Sequence, residues 1–201
     1  MSDFISKMKK LVNSELIVVF DFDYTITTKD SNSSIGVFSN YLPKRYKSKK
    51  MKLDYLTNKV RNRFAYLLIW KLKLKLLENY NAEEYLNIIN YRKEFILNRE
   101  IVKVIRLLSN SGSKIIIYSS GIKEVIERVL CFNSIGLDNI EIRANSLYED
   151  GLVITPNKKK IKDLNEDRVI LIGDSKSDLN IIKSDFLVQI VDDVPIIRKW
   201  R

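Results

Sequence analysis

The sequence predicts an α/β fold: a doubly wound, mainly parallel sheet with a helical cap inserted after strand one. Three apolar runs, at residues 16–20, 114–118 and 169–172, are each followed at once by polar residues. Stretches with helical spacing lie between these runs, and strands that alternate with helices favour a parallel sheet covered on both faces. Ligands bind beyond the carboxyl ends of such strands, which is where the polar residues fall.

The elements follow from local periodicity. Apolar residues at helical spacing predict a helix over 3–13, and strand one spans 16–21. Residues 30–96 show helical spacing without a convincing buried strand, so we assign them to the cap and assign 1–29 and 97–201 to the α/β core. In the core we predict helices over 99–109, 121–131 and from about 177, and strands over 114–118, 140–144, 152–154, 169–172 and 187–191.

Composition excludes several classes of site. The chain of 201 residues contains no histidine, which rules out Ser-His and Cys-His nucleophile pairs and histidine-ligated zinc. Its single cysteine, Cys131, cannot form an internal disulfide, and its helical spacing from the apolar residues before it predicts a core position. With neither a secretory signal nor a membrane-length apolar run visible, we expect a cytoplasmic protein without a membrane partner.

The net charge of +10 comes from one segment. Residues 44–75 contain twelve Lys or Arg and one acid, Asp54. A solvated lysine-rich surface is the simpler interpretation. The alternative is a segment that attracts an anionic substrate toward the sheet edge.

Paired carboxylates mark that edge. Asp21 and Asp23 follow strand one, and alternation along a strand directs them to the same side. Asp174 and Asp178 follow the third apolar run, at residues 169–172. Buried like charges repel, so a compensating cation is expected, and Mg²⁺ is typically held by one or two carboxylates together with substrate phosphate oxygens.

Four motifs in this order resemble those of the haloacid dehalogenase superfamily of phosphohydrolases. They are Asp21-Phe-Asp-Tyr-Thr25, Ser119 after the second apolar run, a lysine among Lys158–Lys160, and Gly173-Asp-Ser175 with Asp178. The resemblance spans most of the chain, and the segment between the first two motifs occupies the place of the mobile cap in that superfamily. It implies a phosphatase that acts through an aspartyl-phosphate intermediate.

The resemblance also implies a role for each residue. Asp21 is the nucleophile, Asp23 the general acid and base, and Lys158 a fixed positive charge; Lys159 and Lys160 remain alternatives for the lysine. Asp21, Asp174 and the carbonyl of Asp23 would bind Mg²⁺, and Ser119 and Ser120 would bind phosphate oxygens. Asp178 would orient groups around the metal, and the hydroxyl of Thr25 would hold the loop.

Two branches of the superfamily remain open. Asp30, nine positions after Asp21, fits the substrate loop of the phosphoserine phosphatase-like branch. Tyr118-Ser-Ser-Gly121 and Asn157-Lys158 are similar to the pyrimidine 5'-nucleotidase branch, so we favour a nucleoside 5'-monophosphate over another small phosphometabolite. A nucleic-acid-binding protein with a non-catalytic core is the alternative from another class. The oligomeric state is left open.

Overall fold

The computed structural model describes residues 3–13, 15–41, 44–60, 63–78, 82–148, 154, 161, 164, 169–176, 178–182, 184 and 186–199. Its strands are β1 (Ile17–Phe20), β2 (Lys114–Ile122), β3 (Ile140–Asn145), β4 (Val169–Gly173), β5 (Phe186–Val191) and β6 (Val194–Lys199). Within the described residues they form one six-stranded sheet in the order β3-β2-β1-β4-β5-β6. All neighbours are parallel except β5 and β6. The predicted α/β fold with a mainly parallel sheet is confirmed.

Alternating residues of the strands build a core on each side of the sheet. Val18 and Phe20 of β1 are fully buried in a cluster with helices α1 (Asp3–Leu11), α7 (Arg99–Asn110) and α8 (Lys123–Phe132). Val19 points to the other face and joins a second cluster that includes Ile161 and Ile181. Because both faces of β1 are covered, its apolar run is continuous, as expected for a central parallel strand. Asp21 therefore follows a strand with no exposed face.

The segment between β1 and α7 is helical. It contains α2 (Phe38–Tyr41), α3 (Lys44–Lys59), α4 (Arg63–Glu78), α5 (Ala82–Ile88) and α6 (Tyr91–Glu94). Its two connections to the rest of the chain run side by side: Thr27 and Leu97 form an antiparallel bridge, and the Thr28 amide donates to the Ile96 carbonyl at 2.8 Å. Among the described helices, none combines the length and apolar character that a membrane span needs.

The basic segment contains buried as well as exposed lysines. Lys50 on α3 and Lys73 on α4 are 7% and 6% exposed, and both contact Asp54, at 3.0 and 2.7 Å. Burial alone would raise the pKa of Asp54, but hydrogen bonds from Lys73 and Lys50 outweigh it and hold that pKa below its usual value. Part of the positive charge thus joins the two helices instead of facing solvent.

The last strand was missed by the sequence prediction. Val191 and Val194 pair across a two-residue turn whose residues, Asp192 and Asp193, have φ of 49° and 63°. Positive φ at both positions is the geometry of a hairpin turn, and Asp tolerates it better than most side chains. Pro195 in β6 is compatible with an edge strand, which leaves some amide positions unpaired. Two aspartates between apolar residues, in Val191-Asp-Asp-Val194, were the sequence pattern that could have predicted this hairpin.

Three further details differ from the expectations. The helix expected from 121 begins at Lys123, because β2 continues to Ile122, which pairs with Asn145 after a register shift. The helix expected from about 177 is a short 3₁₀ turn over Asp178–Asn180. Cys131 is exposed near the end of α8, so the expected core position was wrong. The strand predicted over 152–154 lies outside the described residues apart from Ile154.

Candidate active site

Two neighbouring strands bring the acidic residues together. β1 pairs with β4 in the register Phe20 to Ile172, and the Asp21 amide continues the pairing by donating to the Ile172 carbonyl at 2.9 Å. Asp174 follows β4 directly, so it reaches the same edge. One carboxylate oxygen each of Asp21, Asp174 and Asp178 lie within 4.8 Å of one another.

Asp178 reaches this cluster through a close approach of the chain to β4. A Cβ on Gly173 would lie 2.4 Å from the Cβ of Asp178, so no larger residue fits at position 173 without displacing the acid. Asp178 is 5% exposed, and its Oδ2 accepts a hydrogen bond from the Ser175 amide at 3.0 Å. It is close enough to Asp21 and Asp174 to contribute an oxygen to an ion itself.

The cluster suits a hard divalent cation. Oxygen ligands lie 2.0–2.1 Å from Mg²⁺, so two of them are at most about 4.2 Å apart. Separations of up to 4.8 Å reach that range after small side-chain movements. Three carboxylates at a sheet edge also carry a negative charge that a cation would neutralise.

Asp23 points to different partners. Its Oδ1 accepts from the Ser34 amide at 2.7 Å, and its Oδ2 accepts from the Ser34 hydroxyl at 2.8 Å. The carboxylate cluster found among the described residues does not include Asp23. This arrangement agrees with separate tasks for the two acids of the first motif.

The loop after Asp23 is held by a threonine that the sequence analysis did not single out. Tyr24 has a φ of 63°, and its amide donates to the Thr27 hydroxyl at 2.9 Å. The Thr27 hydroxyl donates to the Phe22 carbonyl at 3.4 Å. The Thr25 hydroxyl, expected to hold this loop, is buried without a hydrogen-bond partner among the described residues. Thr27 takes this role because its backbone is fixed by the bridge to Leu97.

The pKa of the Tyr24 phenol is raised by burial and by the neighbouring acids. Burial raises the pKa of the Tyr24 phenol most, and the charge of Asp23 raises it further. A hydrogen bond with Ser33 acts in the opposite direction, and Asp174 adds a smaller upward contribution. Tyr24 is 39% exposed, so part of this residue remains open to solvent beside the acids.

The second motif lies at the end of β2. Ser119 is 1% exposed, and its hydroxyl accepts from the Gly121 amide at 3.0 Å. The Ser120 carbonyl accepts from the Asn145 side chain at 2.7 Å. Because β2 continues to Ile122 and α8 begins only at Lys123, the second motif is extended and the helix N-terminus lies farther along the chain than expected.

Ser34 and Asn145 are the site residues without a predicted role. A Cβ on Gly121 would lie 1.8 Å from the Ser34 hydroxyl, so the second motif packs directly against Ser34. Asn145 accepts from the Ile154 amide at 2.8 Å and donates to the Ile154 carbonyl at 2.8 Å, tying the second motif to the segment that precedes Lys158. No local sequence pattern marks Ser34.

One predicted site residue, Asp30, lies outside the cluster, and the predicted lysines are not among the described residues. Asp30 is exposed, on a turn that the Lys29 amide joins to Asp193 at 2.9 Å and the Lys29 ammonium joins to Asp192 at 3.0 Å. The cluster among the described residues does not include Asp30. The candidate lysines, Lys158–Lys160, lie outside the described residues.

The chain is similar to known proteins in sequence and in fold. Residues 18–183 match the model of the haloacid dehalogenase-like hydrolase family. A solved structure of cytosolic 5'-nucleotidase IIIB bound to cytidine is similar, with 18% identity and a TM-score of 0.65 over 88% of this chain and 71% of that one. At this identity the similarity shows a shared fold.

Weaker similarities also exist. A HAD family hydrolase from Salmonella enterica serovar Typhi has 12% identity and a TM-score of 0.48 over 85% of this chain and 60% of its own. A phosphoserine phosphohydrolase-like protein from Francisella tularensis has 20% identity and a TM-score of 0.42 over 83% of this chain and 80% of its own. No curated protein sequence matches the chain.

Proposed function

Because this chain belongs to the haloacid dehalogenase-like hydrolase family, we propose that it hydrolyses small phosphomonoesters through an aspartyl-phosphate on Asp21. Family membership confirms the predicted enzyme class, a phosphatase. The observation that carries the mechanism is the separation of the two acids: Asp21 lies in the carboxylate cluster, whereas Asp23 is bound by Ser34.

Asp21 supplies the nucleophile in this mechanism. One of its carboxylate oxygens attacks phosphorus, an oxygen–phosphorus bond forms, and the ester bond to the leaving oxygen breaks. Asp23 in its acid form donates a proton to that oxygen, so the product leaves as an alcohol. Asp23 then accepts a proton from the water that attacks phosphorus, which releases phosphate and restores Asp21.

The metal proposed for this site is Mg²⁺. Asp21, Asp174, the carbonyl of Asp23 and Asp178 would hold it, and when bound it neutralises the charge that repels nucleophile and phosphate. Ser119 and Ser120 would bind phosphate oxygens together with a lysine, for which Lys158 is our first choice and Lys159 and Lys160 the alternatives.

We propose a nucleoside 5'-monophosphate as the substrate class. The motif similarities to the 5'-nucleotidase branch support it, and the solved nucleotidase that shares this fold binds cytidine. A phosphoserine phosphatase-like activity is the second candidate, favoured by the position of Asp30. Asp30 is exposed on a turn that is bound to Asp192 and Asp193, so this activity would require the turn to face the substrate.

The helical segment is proposed to be the cap over this site, with residues 30–96 as the cap and 1–29 and 97–201 as the core. Its side-by-side connections form a hinge: the Asn32 amide donates to the Glu94 carbonyl at 2.9 Å, and Ser31 contacts Ile96. Asn40 and Tyr41 also donate to the Glu94 carboxylate, at 3.2 and 3.0 Å. Glu94 thus joins the start of the cap to its end.

A panel of phosphomonoesters assayed with and without Mg²⁺ tests the proposal. We expect metal-dependent turnover, highest with nucleoside 5'-monophosphates, and none for Asp21→Asn. The exposed acid Asp138 provides a matched control, since Asp138→Asn makes the same chemical change away from the sheet edge. Full activity in excess chelator, or phosphate trapped on a serine instead of Asp21, would contradict the mechanism.

A further inference from the structure

We propose that Ser34 is a positioning residue that fixes the orientation of the Asp23 carboxyl group for proton transfer. The inference rests on the proposed function. Both oxygens of Asp23 are bound by this one residue, Oδ1 by its amide at 2.7 Å and Oδ2 by its hydroxyl at 2.8 Å. Two bonds from adjacent groups define the plane of the carboxyl group, which one bond would not do.

The environment of Ser34 supports a dedicated contact. Ser34 is fully buried, so its hydroxyl does not exchange partners with bulk water. Its oxygen would lie 1.8 Å from a Cβ at position 121, and only the glycine of the second motif leaves room for it. The first motif, the second motif and Ser34 therefore meet at a single point.

A hydroxyl suits both halves of the reaction. It donates to a carboxylate and accepts from a carboxylic acid, so its bond to Asp23 can persist when the acid gains or loses a proton. The amide of Ser34 only donates and holds the other oxygen throughout. Removing the hydroxyl would leave Asp23 with one of these two restraints.

Ser34 also lies at the hinge of the proposed cap. Two residues before it, Asn32 donates through its amide to the Glu94 carbonyl, and Val37 closes the following turn by donating to the Ser33 carbonyl at 2.9 Å. Ser34 is therefore held between the connection to the cap and the first motif.

The test compares Ser34→Ala with wild type on phosphomonoesters whose leaving groups differ in basicity, from alkyl alcohols to p-nitrophenol. A basic alkoxide needs a proton to leave, whereas nitrophenolate does not, and general acid catalysis contributes about 10²–10⁴ in rate. We expect kcat/KM of Ser34→Ala to fall by about tenfold or more on alkyl phosphates and by less than about threefold on p-nitrophenyl phosphate. With the latter, a burst of nitrophenol should precede slow hydrolysis of the intermediate.

Ser33→Ala is the matched control. The Ser33 hydroxyl accepts from the Gly36 amide at 3.0 Å, and the Ser33 side chain also hydrogen-bonds the Tyr24 phenol. Its removal therefore loosens the same loop and frees Tyr24 without touching the two bonds of Asp23. Any loss in Ser33→Ala should be equal for all leaving groups, and thermal unfolding of both variants reports whether the loop is folded. If wild type is active and Ser34→Ala loses alkyl and aryl activity equally, the inference is wrong while the proposed function stands. If wild type hydrolyses none of the esters, the proposed function fails and the inference fails with it.

Discussion

Replacing Asp21 by Asn is expected to stabilise the metal-free protein although it removes turnover. The Asp21 carboxylate lies within 4.8 Å of oxygens from Asp174 and Asp178. At an effective dielectric constant of about 20, two unit charges at that separation repel by about 3.5 kcal/mol. Neutralising Asp21 removes two such repulsions, or about 7 kcal/mol before neighbouring donors and solvent reduce it.

Neighbouring hydrogen-bond donors and solvent reduce this repulsion substantially. Asp178 accepts a hydrogen bond from the Ser175 amide, which offsets part of its charge, and Asp174 is only half-buried, so water and salt screen it. We therefore expect a net stabilisation of about 1–3 kcal/mol, which corresponds to roughly 2–12 °C in the Tm of a chain of this size.

Thermal unfolding of wild type and Asp21→Asn, in chelator and in Mg²⁺, measures this effect. In chelator the variant should unfold at the higher temperature. Mg²⁺ should raise the Tm of wild type more, because tighter binding to the native state stabilises it more and the variant lacks one ligand. Asp138→Asn should follow wild type in both conditions. The electrostatic argument is refuted if the variant unfolds below wild type in chelator, or if Mg²⁺ stabilises both equally.

Two predictions concern the basic segment. Asp54→Ala should destabilise the protein by about 1–2 kcal/mol in urea unfolding at pH 7, because two buried ammonium groups lose their partner and the 41% exposure of Asp54 screens part of the loss. Since the pKa of Asp54 is lowered in the folded protein, the difference from wild type should shrink as the pH falls below about 4; a difference that is constant with pH would contradict this. If the exposed lysines attract anionic substrate, neutralising three of them should lower kcat/KM at low salt, leave kcat nearly unchanged and weaken the salt dependence of kcat/KM; suitable residues are Lys52, Lys71 and Lys75. Unchanged kinetics at every salt concentration would show that they only solvate the helices.

The sequence by itself determined where β1 and β4 end and which acids follow them. The apolar runs before Asp21 and Asp174 are uninterrupted because these strands are buried on both faces, and such runs are readable without a structure. Polar residues that follow them must lie at the carboxyl edge of a parallel sheet. The charged residues of the first and last motifs were therefore predictable, as was the helical segment between β1 and α7.

Only the tertiary structure decided which partner each side chain meets. Pairing of β1 with β4 brings Asp21 next to Asp174, but strand order depends on packing of the whole sheet and has no local signature. Lys50 can reach Asp54 within α3, but only the crossing of α3 and α4 brings Lys73 to the same carboxylate and leaves both lysines buried. The contact of Ser34 with Asp23 depends on the close approach of two loops, which Gly121 permits. Local sequence specifies which conformations and chemical groups are available, whereas such contacts are set by distances between segments that meet only in the folded chain.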